Sequence, residues 1–151
     1  LGFGTNSDGK HATRPEVGTM GIAMQLALDD AGIDSDVIGY VSAHGTATDT
    51  GDIAESKATR HIFGRAVPIS SLKSYIGHTL GACGALEAWM SIHMMNEGWF
   101  APTINLNQVD ENCAELDYIR GECRSINTDY IMSNNFAFGG VNTSLIFKRW
   151  T

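Results

Sequence analysis

The sequence of 151 residues lacks several features that would assign it to a specialised class of protein. It has only three cysteines, Cys83, Cys113 and Cys123, and no C-x-x-C pair, which argues against a disulfide framework and a structural zinc site. No apolar run reaches the roughly 18 residues of a membrane span, and the chain does not begin with a basic segment followed by an apolar stretch. These absences predict a soluble protein without a membrane anchor, in a reducing compartment that we expect to be the cytoplasm.

Positive charge is scarce as well. The 10 lysines and arginines are outnumbered by 17 aspartates and glutamates, and they are scattered along the chain, so we expect no nucleic-acid partner. A hydrophobic share of 43% and a charged share of 18% are enough to form a core, and we expect one domain over residues 1–151. The chain starts at Leu1 inside a predicted strand, so this strand is expected to be truncated and the chain to be part of a longer protein.

Strand and helix patterns alternate along the chain. Residues 20–31 carry apolar side chains at the i, i+3, i+4 spacing of a helix, with Pro15 near its start and Gly32 at its end. The same reasoning predicts helices over 52–63 and 79–96 and strands in LGFGTN and over 38–43, 67–71, 130–133 and 143–148. The segment 101–125 is predicted to be a connection with a short strand near 118–120. The order βαβαβαββ predicts an α/β fold with a mixed five-stranded sheet covered by helices.

Two histidines stand at the carboxyl ends of predicted strands, each shortly before a helix. His44 lies in SAHGTATDTGD and His78 in SLKSYIGHTLGACGALEA. Polar groups at that edge of an α/β sheet commonly form a binding site, and the positive field of a helix N-terminus disfavours protonation of a histidine. Two neutral imidazoles could each donate an N–H to one carbonyl oxygen. The alternative is that each is a hydrogen-bonded core or loop histidine without a catalytic role.

Three motifs resemble those of the β-ketoacyl-acyl-carrier-protein synthases, the two-histidine condensing enzymes of fatty-acid and polyketide synthesis in the thiolase superfamily. They are HGTATDTGDIAE, SLKSYIGHTLGACGALEA and SNNFAFGGVNTSLIF. The resemblance implies a thiolase-like fold made of two α/β halves, of which this chain resembles the C-terminal half. HGTATDTGDIAES and SNNFAFGG are also similar to synthases of the aryl-polyene type.

The resemblance implies roles for the residues of the first two motifs. His44 and His78 match the histidines that hold the malonyl thioester carbonyl during decarboxylation, and Lys73 and Glu55 match charged residues of the same network. Lys73 and Glu55 could instead be a structural ion pair.

Thr46 and Thr48 match threonines that bind the phosphopantetheine arm, although threonines in a turn more often bond the local backbone. Asp49 stands where the family usually has proline, which leaves the geometry of this loop open.

The third motif resembles a gating loop. Phe138 matches the family's gating phenylalanine, whose N–H also helps to form an oxyanion hole, and the flanking Gly139 and Gly140 would let the turn move. Phe136 is expected to close the apolar pocket or to belong to the core. Asp8, His11 and Thr13 in SDGKHAT match a second mobile loop at the pocket rim, with a solvated loop as the alternative for His11.

The resemblance also implies a nucleophilic cysteine at a helix N-terminus in the other half of the fold. None of the three cysteines of this chain has that context, because Cys83 lies inside the predicted start of the third helix and the other two lie in connecting segments.

We therefore expect the C-terminal catalytic half of a decarboxylating synthase, inactive by itself, with an acyl carrier protein and the missing N-terminal half as partners. The full-length protein is expected to be a homodimer. No cofactor is expected beyond the phosphopantetheine of the carrier protein, and the apolar third helix is expected to expose surface that the missing half covers. A degradative thiolase and a non-catalytic subunit of the chain-length-factor type remain as alternatives.

Overall fold

The computed structural model describes residues 1–9, 11 and 13–150, which form an α/β arrangement around a mixed sheet. In chain order the elements are β1 (Gly2–Ser7), α1 (Val17–Ala31), β2 (Tyr40–Ser42), α2 (Asp49–Phe63), β3 (Pro68–Ser70), α3 (Lys73–Ile76), α4 (Cys83–Glu97), β4 (Trp99–Phe100), β5 (Asp117–Tyr118), β6 (Arg124–Ser125), β7 (Tyr130–Ala137) and β8 (Val141–Lys148).

The sheet has six strands in the order β1-β8-β7-β2-β3-β5, so the predicted count of five is wrong. The additional strand is β5, which has two residues and lies at the edge of the sheet, parallel to β3. The sequence predicted a short strand near 118–120, and this is confirmed, but it counted that strand as part of a connection and not of the sheet, because a strand this short gives no alternating pattern. The antiparallel pair of β7 and β8 is confirmed. β4 and β6 form a separate two-stranded sheet.

The parallel strands β2, β3 and β7 determine where the loops of the three motifs meet. β2 pairs with both neighbours in parallel register, Val41 with Ile69 on one side and with Met132 on the other. Their carboxyl ends therefore lie along one edge of the sheet. The loop of His44 follows β2, Lys73 follows β3, and the glycine-rich turn follows β7. The fold brings all three predicted motifs to the same edge.

Two helices end at the predicted glycines, whereas one helix begins later than predicted. α1 and α2 end at Gly32 and Gly64, whose φ angles of 64° and 63° lie in the left-handed region that glycine adopts without strain. The third predicted helix begins at Cys83 rather than at residue 79, after a 3-10 turn. Leu80 in that turn has a φ of 52°, which an α-helix does not allow.

The core has two layers, one on each face of the sheet. Alternate strand residues divide between them, with Val41 and Met132 packed in the layer that contains α1 and α2 and Tyr40 and Ile131 in the layer that contains α4. Among the described residues, no helix has the length and hydropathy to cross a bilayer.

The side of α4 that faces this sheet includes polar residues, and its outer side exposes large apolar residues. Glu87 and Ser91 are buried, whereas Trp89 is 68% exposed and Leu86 38%. The expectation of an apolar surface on this helix is confirmed on its outer side.

β1 packs closely on α1, and this contact generates a prediction about stability. A Cβ atom at Gly4 would lie 2.1 Å from the Ala23 carbonyl oxygen and 2.6 Å from the Ala27 nitrogen. Because backbone atoms cannot move aside cheaply, we expect Gly4→Ala to lower the free energy of unfolding by about 1–3 kcal/mol or more, measured by denaturant titration. Gly18→Ala, at an exposed helix position with nothing near its Cβ, should be neutral or stabilising. Equal stabilities of the two variants would contradict this packing.

Candidate active site

His44 and His78 lie together at the carboxyl edge of the sheet. Their ring centroids are 5.6 Å apart, with the planes nearly perpendicular at 87°. The ring of Phe136 also packs edge-on against the ring of His44, with the two ring centroids 6.2 Å apart. The two histidines, separated by 33 intervening positions in the chain, thus form one local cluster.

His44 is held in its neutral form chiefly by burial. Burial lowers the pKa of His44 to about 3, and the positive charge of Lys73 and the neighbouring His78 lower it further, while Asn135 opposes them. The expected neutral imidazole is therefore present, but its main cause is burial rather than a helix N-terminus. At neutral pH this ring can offer an N–H without carrying charge.

His78 has its tautomer set by the backbone. The Leu80 N–H donates to Nδ1 of His78 at 3.1 Å, so this nitrogen is the acceptor and Nε2 carries the proton of the neutral ring. The left-handed conformation of Leu80 accompanies this turn of the chain. The Sγ atom of Cys83 lies 3.4 Å from the same Nδ1.

Glu55 holds the loop that carries His44. Its Oε1 accepts the His44 N–H and its Oε2 accepts the Gly45 N–H, each at 2.8 Å. Burial raises the pKa of Glu55 to about 7, although these two donors and the more distant Lys73 oppose that rise. Glu55 thus acts on the site through the backbone of the histidine loop.

Lys73 pairs with Glu87 and not with Glu55, which corrects the ion pair considered from the sequence. The Lys73 Nζ donates to Oε1 of Glu87, and the two side chains are 5% and 0% exposed. Asn135 Nδ2 donates to the second oxygen, Oε2, at 3.2 Å. Sequence reasoning missed Glu87, for which the available signal was one acidic residue in the apolar stretch ALEAWM.

Thr46 and Thr48 form the outer part of the same loop. Their hydroxyl oxygens are 3.0 Å apart, and the Thr46 N–H donates to Asp52 Oδ1. Asp49, which replaces the expected proline, is the first residue of α2. Both proline and an acidic residue suit the first turn of a helix, so the departure from the family pattern is accommodated there.

A cavity of about 540 Å³ opens beside the histidine loop. Its wall contains Thr46, Thr48, Lys73 and His78 but not His44, and on the far side residues of the segment 103–110. A space of this size is large enough for an extended small ligand.

The glycine-rich turn after β7 is exposed at its tip. Phe138 is 78% exposed, whereas Phe136 is 8% exposed and packs in the core beside His44. Gly139 and Gly140 have φ angles of 78° and 73°, which a residue with a side chain rarely adopts. Asp8 reaches this turn, because its N–H donates to the Gly140 carbonyl oxygen at 3.2 Å.

Comparison with known proteins agrees with the motifs. The family model described as "Beta-ketoacyl synthase, C-terminal domain" matches residues 1–107. The chain belongs to the β-ketoacyl synthases. It is 41% identical over 154 residues to 3-oxoacyl-[acyl-carrier-protein] synthase 2 of Coxiella burnetii and 43% identical over 156 residues to that of Vibrio cholerae. These alignments cover 99% of the chain but only 37% of each relative, so the synthase domain spans little more than a third of their length.

Solved synthase structures share the fold. A β-ketoacyl synthase from Burkholderia phymatum is 66% identical with a TM-score of 0.98, over 100% of the chain and 37% of that structure. A chain of the structure described as "Ketosynthase (ApeO) in Complex with its Chain Length Factor (ApeC) from Xenorhabdus doucetiae" is 35% identical with a TM-score of 0.92, over 99% of this chain and 38% of that one. The thiolase-like α/β fold is confirmed, and the family match favours a synthase over a degradative thiolase.

The synthase domain does not bring all expected residues to the cavity. His11 and Thr13 are exposed, the Thr13 N–H donates to His11 Nδ1 at 3.1 Å, and neither lines the cavity. Lys10 and Ala12 of the same segment lie outside the described residues.

Cys83 departs from its expected setting, because it is the first residue of α4 and contacts His78. It is 2% exposed. Cys113 lines the cavity and Cys123 is exposed; all three are free thiols. The sequence placed Cys83 just inside the start of a helix predicted from residue 79, whereas in the structure it is the first residue of that helix.

Glu55 predicts an unusual pH dependence of stability. Its pKa is about 7 in the folded synthase domain against an ordinary value of 4.5, so between these values the folded state binds more protons than the unfolded state. Its contribution to the free energy of unfolding should therefore fall by about 3 kcal/mol as pH rises from 4.5 through 7. We expect Glu55→Gln to lose stability relative to the parent at pH 5 and to recover much of that loss at pH 8, measured by denaturant titration.

The exposed Glu115→Gln serves as the control and should follow the parent at both pH values. A constant stability difference between Glu55→Gln and the parent across this range would exclude the raised pKa.

Proposed function

We propose that this chain forms the two-histidine half of the active site of a 3-oxoacyl-[acyl-carrier-protein] synthase. Such an enzyme extends an acyl thioester by decarboxylative Claisen condensation with malonyl-carrier protein. The observation that supports this most directly is the pairing of a neutral, half-buried His44 with a His78 whose Nδ1 accepts a backbone N–H, their rings 5.6 Å apart.

In the proposed reaction the two imidazoles act as hydrogen-bond donors to one thioester oxygen. Loss of carbon dioxide from the malonyl group leaves an electron pair that becomes an enolate, and its charge gathers on that oxygen. Two fixed N–H donors stabilise this charge more than they stabilise the uncharged carbonyl, which accelerates the step. The enolate carbon then attacks the acyl thioester carbonyl, a carbon–carbon bond forms, and the thiolate leaves.

The surrounding residues support this role. Lys73, buried and paired with Glu87, places a positive charge near His44 and disfavours its protonation. We propose that Thr46 and Thr48, in the cavity wall, bond the amide groups of a phosphopantetheine arm, and that no other cofactor takes part.

We place the nucleophile outside these 151 residues. The curated relatives are much longer than the chain, which covers 37% of them. Cys83 is buried and its sulfur is engaged by Thr79 and His78, each at 3.4 Å. The chain alone would then form no acyl-enzyme. In the complete protein, which we propose to be a homodimer that receives substrates from an acyl carrier protein, the remaining length would cover the exposed Trp89 side of α4.

A non-catalytic subunit is the second candidate. One similar structure is that of a ketosynthase in complex with its chain length factor. A subunit of that type would lack the nucleophilic cysteine in the other half, whereas a synthase would carry it.

The histidine pair can be tested in the protein that contains this chain. His44→Ala or His78→Ala should each remove about 2–4 kcal/mol of transition-state stabilisation from malonyl decarboxylation, because each removes one donor to the developing oxyanion. Acyl transfer to the nucleophile should suffer less. His61→Ala, at an exposed histidine in the last turn of α2, is the control. Decarboxylation of malonyl-carrier protein by His78→Ala at the parent rate would refute the assignment.

The gate can be tested at Phe138. Because its ring is exposed and followed by two glycines, Phe138→Ala should cost little stability and should change chain-length selectivity. The measurement is condensation with a series of acyl-carrier proteins, beside a melting curve. A large fall in Tm together with unchanged selectivity would make Phe138 an ordinary packing residue.

A further inference from the structure

His78 is exposed, so the orientation of its ring depends on the few groups that contact it. The ring lies near that of His44, with the centroids 5.6 Å apart. Its Nδ1 meets two further groups, the Leu80 nitrogen at 3.1 Å and the Sγ atom of Cys83 at 3.4 Å. Because solvent presents no steric barrier to rotation of an exposed imidazole about its side-chain bonds, the contacts at Nδ1 decide the direction of Nε2.

The hydrogen bonds at Nδ1 have a defined direction. Since the Leu80 N–H donates to Nδ1, this nitrogen presents its lone pair, and the Cys83 sulfur must meet it with the S–H. The Thr79 hydroxyl in turn donates to Sγ of Cys83 at 3.4 Å. A thiol is a weak donor and a weak acceptor, and this one does both. Two hydrogen bonds in series therefore lead from Thr79 through Cys83 to the ring.

The fold fixes the sulfur more firmly than the ring that it contacts. The Ala82 N–H donates to the Thr79 carbonyl oxygen at 3.1 Å, which closes the turn before α4. Cys83 is the first residue of that helix and is only 2% exposed. A close-packed side chain on a helix has little freedom to move, so a bond to this sulfur restrains the exposed ring. The same burial keeps water from replacing the ring as the acceptor of the S–H.

We propose that Cys83 is a positioning residue for His78: its S–H, supported by the Thr79 hydroxyl, shares Nδ1 with the Leu80 N–H and keeps Nε2–H directed at the substrate carbonyl. This inference rests on the proposed function and extends it to a cysteine that is not the nucleophile. The resemblance to the synthases assigns no role to this position. A displacement of a catalytic donor by about 1 Å can cost up to roughly a hundredfold in rate, so even a weak restraint on the ring affects the reaction.

Four variants of the protein that contains this chain test the proposal. Cys83→Ala removes the S–H and should lower kcat for malonyl decarboxylation by roughly threefold to tenfold, the effect of one lost hydrogen bond, with KM and acyl loading unchanged. Cys83→Ser keeps a donor and should recover part of that loss. Thr79→Val removes the donor to the sulfur and should have a smaller effect of the same sign. Cys123→Ala, at an exposed free thiol, is the matched control and should equal the parent.

A vibrational readout tests the S–H bond without reference to catalysis. The S–H stretch absorbs in a spectral window that other protein bands leave clear, and donation of a hydrogen bond lowers its frequency. The infrared difference spectrum between the parent and Cys83→Ala isolates the Cys83 band. His78→Ala removes the acceptor, so we expect it to move this band to higher frequency and to leave the Cys123 band in place. In protein labelled with ¹⁵N-histidine, the Nδ1 resonance of His78 should shift in Cys83→Ala and stay unchanged in Cys123→Ala.

The possible results separate this inference from the proposed function. A parent kcat in Cys83→Ala, a Cys83 band that His78→Ala leaves unmoved, or an unchanged His78 resonance would each overturn the positioning role. A parallel fall of decarboxylation, acyl loading and Tm in Cys83→Ala would also overturn it, because the thiol would then serve packing alone. Absence of decarboxylation in the parent would instead refute the proposed function, and the S–H band would still decide whether Cys83 donates to His78.

Discussion

The buried pair of Lys73 and Glu87 is the constraint on which the site depends. Both side chains are almost completely removed from solvent, and a buried charge that loses its partner costs several kcal/mol. The pair joins α3 to α4, so the turn between them, which carries His78, is fixed at both ends. Its positive member also faces His44 and helps to keep that ring neutral.

Two buried carboxylates of the site do different work because their surroundings differ. Glu87 accepts from an ammonium group and from an amide, and it anchors charge. Glu55 accepts only backbone N–H groups among the described residues, and burial therefore raises its pKa to about 7. Glu55 fixes the path of the chain at His44, and Glu87 fixes the elements on which His78 and Asn135 stand. The two histidines are thus oriented by separate carboxylates.

The sequence predicts the fold where a local rule is strong. Gly32 and Gly64 mark helix ends because a left-handed residue follows the last turn, and the pairing of β7 with β8 follows from two extended runs around a glycine turn. The two-residue β5 is too short to show an alternating pattern, so the sequence did not assign it to the sheet. The helix α4 begins later than predicted because Leu80 adopts a left-handed conformation, which its residue type does not predict.

For the site, the motifs identified both histidines, Lys73 and Glu55. They did not identify Glu87 or Asn135, because those contacts join elements that are distant in the chain.

The helix α4 helps to explain how the two histidines are held in place by a chain that spans only 37% of its relatives. It directs Glu87 and Ser91 into its own sheet beside Met94 and Met95, and it leaves the large apolar side chains of Trp89 and Leu86 outside. The hydrogen bonds that hold the His44 backbone and the His78 ring come from Glu55 and Leu80, both within the described residues of this chain. In the proposed function, the remaining length packs against the exposed Trp89 side of this helix and brings the nucleophile to the two histidines.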